Sequence, residues 1–279
     1  MRSFPNFYRL GVCTVVGLTM TAGAAPAPTP RHVAERIDVK SLKLSTTVQD
    51  VVVPLPGEIF TALNKLGSVN WGEHVRTDKG SNFMARPRVA LLLGTVIADG
   101  FIAVQAQNTP AVKDIGQRVL KLSQQLGVGK SITEHAKAII EGADKSRWEN
   151  VRLELDRTQK SVQDAMNELG DPKLSQLVSL GGWLRGTEVL TAVVTKRFTP
   201  EGAELLHQPD LLAHFQTELQ QLPADKEDFK APIIHEISEA LGQVRPMIDV
   251  PGGKLISQDS VKKINEITTR LDYGIVTRQ

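Results

Sequence analysis

The sequence predicts an all-α protein: a multi-helix bundle of antiparallel helices around two central apolar helices, with a short extended or β-like N-terminal arm. Three observations carry that expectation. Hydrophobic residues make up 41% of the chain but aromatic residues only 5%, and the abundant Leu, Ala, Gln, Glu and Lys favour helix over sheet. Apolar residues recur at steps of three and four along most of the chain, the spacing of one helical face. No strand pattern alternates with these segments, which excludes a parallel α/β sheet.

The first 24 residues read as a secretory signal peptide. Arg2 and Arg9 precede an apolar run from Leu10 to Met20, and small residues Ala22 and Ala24 stand where signal peptidase needs them. The run is shorter than the roughly 20 residues that span a bilayer, so cleavage is expected after Ala24 or Ala25. Cys13 follows the bulky Val12, which does not suit a lipoprotein site. Cleavage removes this one cysteine and with it every thiol nucleophile, thiolate ligand and disulfide. It also removes two cations and no anion, leaving the mature chain with equal numbers of each. A neutral chain without a basic stripe lacks the footprint of nucleic-acid binding.

Residues 25–54 form a Pro-rich linker and arm, in which Val39 to Val53 is the one β-like stretch. A single helical domain is expected over 55–279. It opens with a short amphipathic helix from Gly57 to Leu66. The segment from Arg88 to Gln107 is apolar on nearly every side and so belongs to a buried helix, with Asp99 inside it arguing against a membrane span. Pro110 to Leu126 follows, closed by Gly127. Ser131 to Leu169 is expected to be two helices, or one kinked near Gly142, with capping boxes at Ser131–Glu134 and Ser146–Glu149. Asp171 and Pro172 start the second strongly apolar helix, which runs to about Phe198 and carries Gly181, Gly182, Arg185, Gly186 and Glu188. The fragments Leu93 to Ile97 and Leu180 to Leu184 resemble one another, over too few positions to establish a duplication. Short helices begin at Pro200 and Pro209, a longer one covers Pro232 to Leu241, Val244 to Leu255 is expected to be loop, and Asp259 to Leu271 is the last helix.

Familiar chemical motifs fail on their own requirements. Gly127 to Ser131 resembles the end of a phosphate-binding loop, but Gln124 stands where the first glycine must be and a helix precedes it. Glu204 and His207 have the spacing of a di-iron ligand pair, yet no second Glu-x-x-His occurs. No Gly-x-Ser-x-Gly elbow is present, and no Ser lies close to a His in sequence with the pattern of a known hydrolase. No cofactor and no metal is expected.

Two places remain. The segment Asn70 to Asp78 gathers Trp71, His74 and Arg76 in a predicted loop, and loops on a rigid scaffold often bind ligands. Asp99 and Arg185 lie within apolar helices, where a lone charge is costly, so they are expected to pair between the two central helices with Glu188 one turn on. The candidate binding residues are therefore Trp71, His74, Arg76, Asp99, Arg185 and Glu188. The expected function is an exported cell-envelope protein, periplasmic or extracellular, that binds a small ligand or a protein partner without catalysis. It has no nucleic-acid partner and no integral membrane span in the mature chain. The alternative is a hydrolase-like enzyme with a dispersed site near Asp99, Arg185 and Glu188.

Overall fold

Short breaks between apolar-periodic segments fold this chain back on itself repeatedly. The computed structural model describes residues 46–48, 51–53, 56–76, 83–223, 226–251 and 254–277. The expected leader, most of the linker, Thr77 and Asp78 lie outside them. Strands β1 (Thr46–Val48) and β2 (Val51–Val53) pair antiparallel, with Thr46 opposite Val53. The other regular elements of the described chain are helical: α1 (Pro56–Leu66), a 3-10 turn (Trp71–His74), α2 (Arg86–Gln105), α3 (Thr109–Gln125), α4 (Gly129–Asp144), α5 (Trp148–Glu168), α6 (Pro172–Lys196), α7 (Pro200–Glu204), α8 (Pro209–Gln220), a second 3-10 turn (Glu227–Lys230), α9 (Pro232–Ile248) and α10 (Gln258–Thr277). The all-α class is what the composition predicts. One contiguous hydrophobic cluster joins these helices, with Phe60, Phe101 and Phe215 fully buried in it.

Helices α2 and α6 lie against each other along buried faces. They run in the same direction: the Thr95 hydroxyl donates to the Gly181 carbonyl at 3.3 Å, and one turn further on Asp99 meets Arg185. The antiparallel arrangement expected of neighbouring helices therefore does not describe this pair. The reason is topological: the chain reverses at each of the four turns that connect α2, α3, α4, α5 and α6, and an even number of reversals restores the direction. Helix α10 runs opposite to both, since Asn265 Nδ2 donates to the Glu188 carbonyl at 3.1 Å and Arg88 Nη2 to the Gly274 carbonyl at 3.3 Å. By length and composition α2 could cross a membrane, and all of its apolar window is buried inside the protein. Burial by the neighbouring helices satisfies its apolar surface.

The crossing of α2 and α6 depends on the two fragments that resemble one another. A Cβ placed on Gly94 would stand 1.9 Å from the Val178 carbonyl oxygen, and one on Gly181 would stand 2.1 Å from that of Leu91. The helices touch backbone to backbone there, which only glycine permits.

Several local expectations are corrected. Neither capping box forms: α4 begins at Gly129, two residues beyond Gly127 at φ 86°, so Ser131 is already inside the helix. Ser146 sits at φ 52° in the turn and caps nothing, with Arg147 at the N-cap of α5. Gly142 is no kink; it lies within α4, and a Cβ there would meet Val151 Cγ2 at 2.7 Å. Helix α9 continues past the predicted end through Pro246 to Ile248. Proline forfeits one helical hydrogen bond, but Pro246 is on the exposed side while Val244 and Ile248 extend the buried stripe of Ile237, Ala240 and Leu241. Packing of that stripe outweighs the lost bond. At Thr199 the cap forms, its hydroxyl accepting from Gly202 N at 3.1 Å.

Candidate functional site

The parallel crossing sets Asp99 of α2 beside Arg185 of α6, both 4% or less exposed. Arg185 Nε donates to Asp99 Oδ1 at 2.7 Å, its Nη1 to Glu188, and its Nη2 to the backbone carbonyl of His74 at 2.6 Å. Asp99 holds a second guanidinium: Arg76 Nη2 donates to its Oδ2 at 2.7 Å and Arg76 Nε to its Oδ1 at 3.2 Å. The remaining arm of Arg76 donates to Asp272 of α10. Two guanidiniums and three carboxylates from α2, α6, α10 and one loop thus form a single buried network, the arrangement that compensates charges removed from water.

Burial alone would raise the Asp99 carboxyl, yet the Arg185 and Arg76 guanidiniums outweigh it and hold the group below the usual carboxylate range. Asp272 goes the other way. Burial pushes it up to about 6, against the pull of Arg76 and Arg185, and its Oδ1 finds no hydrogen-bond partner. Asp156 on α5, bonded to Arg152 at 3.3 Å and close to Glu58, is likewise pushed up by burial, to about 7.

Both shifts have the same consequence for stability. A folded-state pKa above the unfolded value means that the native protein holds a proton the unfolded chain has lost, so stability falls as pH rises between the two values. The window is from about 4 to 6 for Asp272 and from about 4 to 7 for Asp156. Urea unfolding at pH 5 and pH 8 should show Asp156→Asn losing on the order of 2–3 kcal/mol of the wild-type decline. An unchanged slope in that variant would reject a buried, protonated Asp156.

The predicted loop residues have distinct places. Trp71 is a core side chain: 6% exposed, its ring 5.0 Å from that of Phe60, its Nε1 donating to Asn64 Oδ1 at 2.8 Å. Arg76 belongs to the ion network. His74 stands between the network, through its carbonyl, and a cleft of about 180 Å³, which its side chain helps to line; burial lowers the pKa of its ring. Leu63, Leu66, Val69 and Val193 give that cleft an apolar floor, and Asn70, Glu73, Lys196 and Arg197 line it as polar groups. Lys196 donates to Glu73, and Asn70 Nδ2 donates to the same carboxylate at 2.7 Å. Compared with protein-family models, curated proteins and solved structures, the chain matches none.

The structure brings Asp99, Arg185, Glu188, Arg76 and the His74 carbonyl together, and sets the Trp71 ring apart from them. Asp272, Lys196 and Arg197 were missed. Asp272 had a signal, since it falls on the apolar stripe Val261, Ile264, Thr268, Leu271 and Ile275 of α10. Elsewhere, His207 Nδ1 donates to the Ile248 carbonyl at 2.8 Å, and His214 is bonded to Gln176 at 3.2 Å. Among the described residues no three His, Cys, Asp or Glu converge as metal ligands.

Proposed function

We propose that this chain is an exported helical binding module, and that the cleft between α1, the first 3-10 turn and the end of α6 takes a small ligand with an apolar body and an anionic group. The observation that supports it is how that cleft is held. Its wall residue His74 is fastened through its carbonyl to buried Arg185, and Arg76 two residues on is fastened to Asp99 and Asp272. A wall clamped to the core loses little freedom on binding, which favours affinity. The clamp residues have their donors committed to one another, so they support positioning and not proton transfer. Ligand pockets for drug-sized molecules begin at about 300 Å³, so a cleft of about 180 Å³ suits a smaller body. Lys196 and Arg197 outnumber Glu73, and an anion can replace Glu73 on Lys196. Export rests on the three-part leader, and a periplasmic or extracellular setting follows from it; protein partners remain the alternative occupant.

Hexanoate is a suitable probe. Calorimetry should show saturable binding to the wild-type protein, weakened about tenfold, or 1.4 kcal/mol, in Lys196→Ala. Equal affinity in that variant, or no saturable heat, would overturn the reading.

A further inference from the structure

A second group of side chains, on the α4–α5 hairpin and away from the ion network, has the geometry of an activated hydroxyl. His135 of α4 sits between two residues of α5. Its Nδ1 is 2.8 Å from Glu154 Oε2 and its Nε2 is 3.0 Å from Ser161 Oγ. Both ring nitrogens are thereby used in the order a nucleophilic relay requires, carboxylate to Nδ1 and hydroxyl to Nε2. Glu154 also accepts from Arg157, and the hydrogen bonds from His135 and Arg157 outweigh burial to keep its pKa low. An ionised carboxylate only accepts, so Nδ1 carries the ring proton and Nε2 is left to accept from the Ser161 hydroxyl. The ring is accessible from solvent: the side chains of His135 and Glu154 are 24% and 17% exposed. Glu154 and Arg157 also line a cleft of about 350 Å³, together with Gly142, Lys145, Arg147 and Asn150; His135 and Ser161 are not on its wall.

We propose that Ser161, His135 and Glu154 form an acyl-transfer relay that hydrolyses small carboxylic esters. Ser161 Oγ attacks the carbonyl carbon while its proton passes to His135 Nε2. The C–O bond to the leaving group breaks, and His135 returns the proton to the departing oxygen. Water then attacks the acyl-serine, giving its proton to His135 Nε2, and Ser161 recovers a proton as the acid leaves. One ester and one water become one acid and one alcohol. Glu154 is a positioning residue that fixes the ring and its tautomer. The backbone N–H groups around Ser161 are held within α5, so the oxyanion has to be met by a side chain. Arg157, one turn earlier on α5 and 63% exposed, is the cation in place for it.

A fluorophosphonate probe, which phosphonylates activated serines, tests this on the whole chain. Peptide mapping by mass spectrometry should place the label on Ser161 and not on Ser257, an exposed serine whose hydroxyl is bonded to Ser260 Oγ at 2.9 Å and accepts from Ser260 N at 3.0 Å. Ser161→Ala should abolish it, and His135→Gln should slow it by about 100-fold, the scale of general base catalysis. Glu154→Gln should slow labelling, and Glu154→Asp, which keeps an acceptor for Nδ1, should restore part of the rate; a merely structural Glu154 would leave the labelling rate of both folded variants unchanged. Hydrolysis of p-nitrophenyl acetate should fall in parallel with labelling. Helical dichroism and thermal unfolding identify any variant that fails to fold, and the wild-type labelling site is decisive without the variants. Equal labelling of Ser161 and Ser257 in the wild type, or labelling of Ser161 that persists in a folded His135→Gln protein, would overturn the relay and leave the three residues as a cross-helix tie. Neither result bears on hexanoate binding at the α1–α6 cleft.

Discussion

Replacing Gly94 by alanine is expected to separate the two helices that the fold is built on. The new methyl would be centred 1.9 Å from the Val178 carbonyl oxygen and 2.8 Å from Gly182 N, both of them backbone atoms with no rotamer to change. Relief requires α2 and α6 to move apart, opening gaps along an interface packed as densely as a crystal. Overpacking usually costs about 1–3 kcal/mol, and a backbone clash places this variant at or beyond the upper end. Gly182→Ala is the internal control. Its methyl would meet the Gly94 carbonyl at 3.4 Å, an ordinary contact, and alanine is better than glycine in a helix interior by about 1 kcal/mol. Urea unfolding followed by dichroism should thus find Gly94→Ala strongly destabilised and Gly182→Ala neutral or stabilised. Similar midpoints for the two variants would contradict the backbone contact described here.

How much of this was legible in the sequence depends on the distance over which each feature is determined. Apolar periodicity and composition are local, and they identify the all-α class, the helices from α1 to α8 within a few residues, and the apolar character of α2 and α6. The pairing of Asp99 with Arg185 was also legible, because a charge inside an apolar helix needs a partner and each helix offered few. The direction of α2 against α6 was available only by counting chain reversals, and the antiparallel expectation overlooked the count. Pro246 misled because a breaker was weighed without Val244 and Ile248, whose burial carries α9 past it. Arg76 was noticed, but its route to Asp272 joins residues far apart in sequence, which no local pattern encodes. The relay is hidden for the same reason. Once Gly142 is known to face Val151, seven residues back along α4 is His135 and seven forward along α5 is Thr158. Glu154 and Ser161 lie one turn to either side of that point. The register of the hairpin, and not any motif, brings the three together.

Asp99→Ala is expected to cost more than Arg185→Ala, and the two losses are expected not to add. Removing Asp99 takes a carboxylate from two guanidiniums at once, leaving buried Arg185 with Glu188 and the His74 carbonyl and Arg76 with Asp272 as its one remaining carboxylate. Removing Arg185 leaves Asp99 still held by Arg76, and leaves Glu188 with a side chain 15% exposed to water. Breaking a buried pair by deleting one partner costs about 3–5 kcal/mol, and Asp99→Ala belongs at the top of that range. In the double variant Arg76 keeps Asp272, and Glu188, with a side chain 15% exposed to water, is the group left without its guanidinium. A double-mutant cycle on unfolding free energy should therefore show a coupling of about 1–3 kcal/mol; strictly additive losses would mean that the two charges do not depend on one another. The same variants connect the network to the cleft. Arg185 is the donor to the His74 carbonyl, and Arg76 anchors the chain just beyond it. A double variant that keeps its helical dichroism but binds hexanoate less tightly than the wild type would show that the network holds the cleft in its binding shape. Unchanged hexanoate affinity in that folded protein would confine the network to joining α2, α6 and α10.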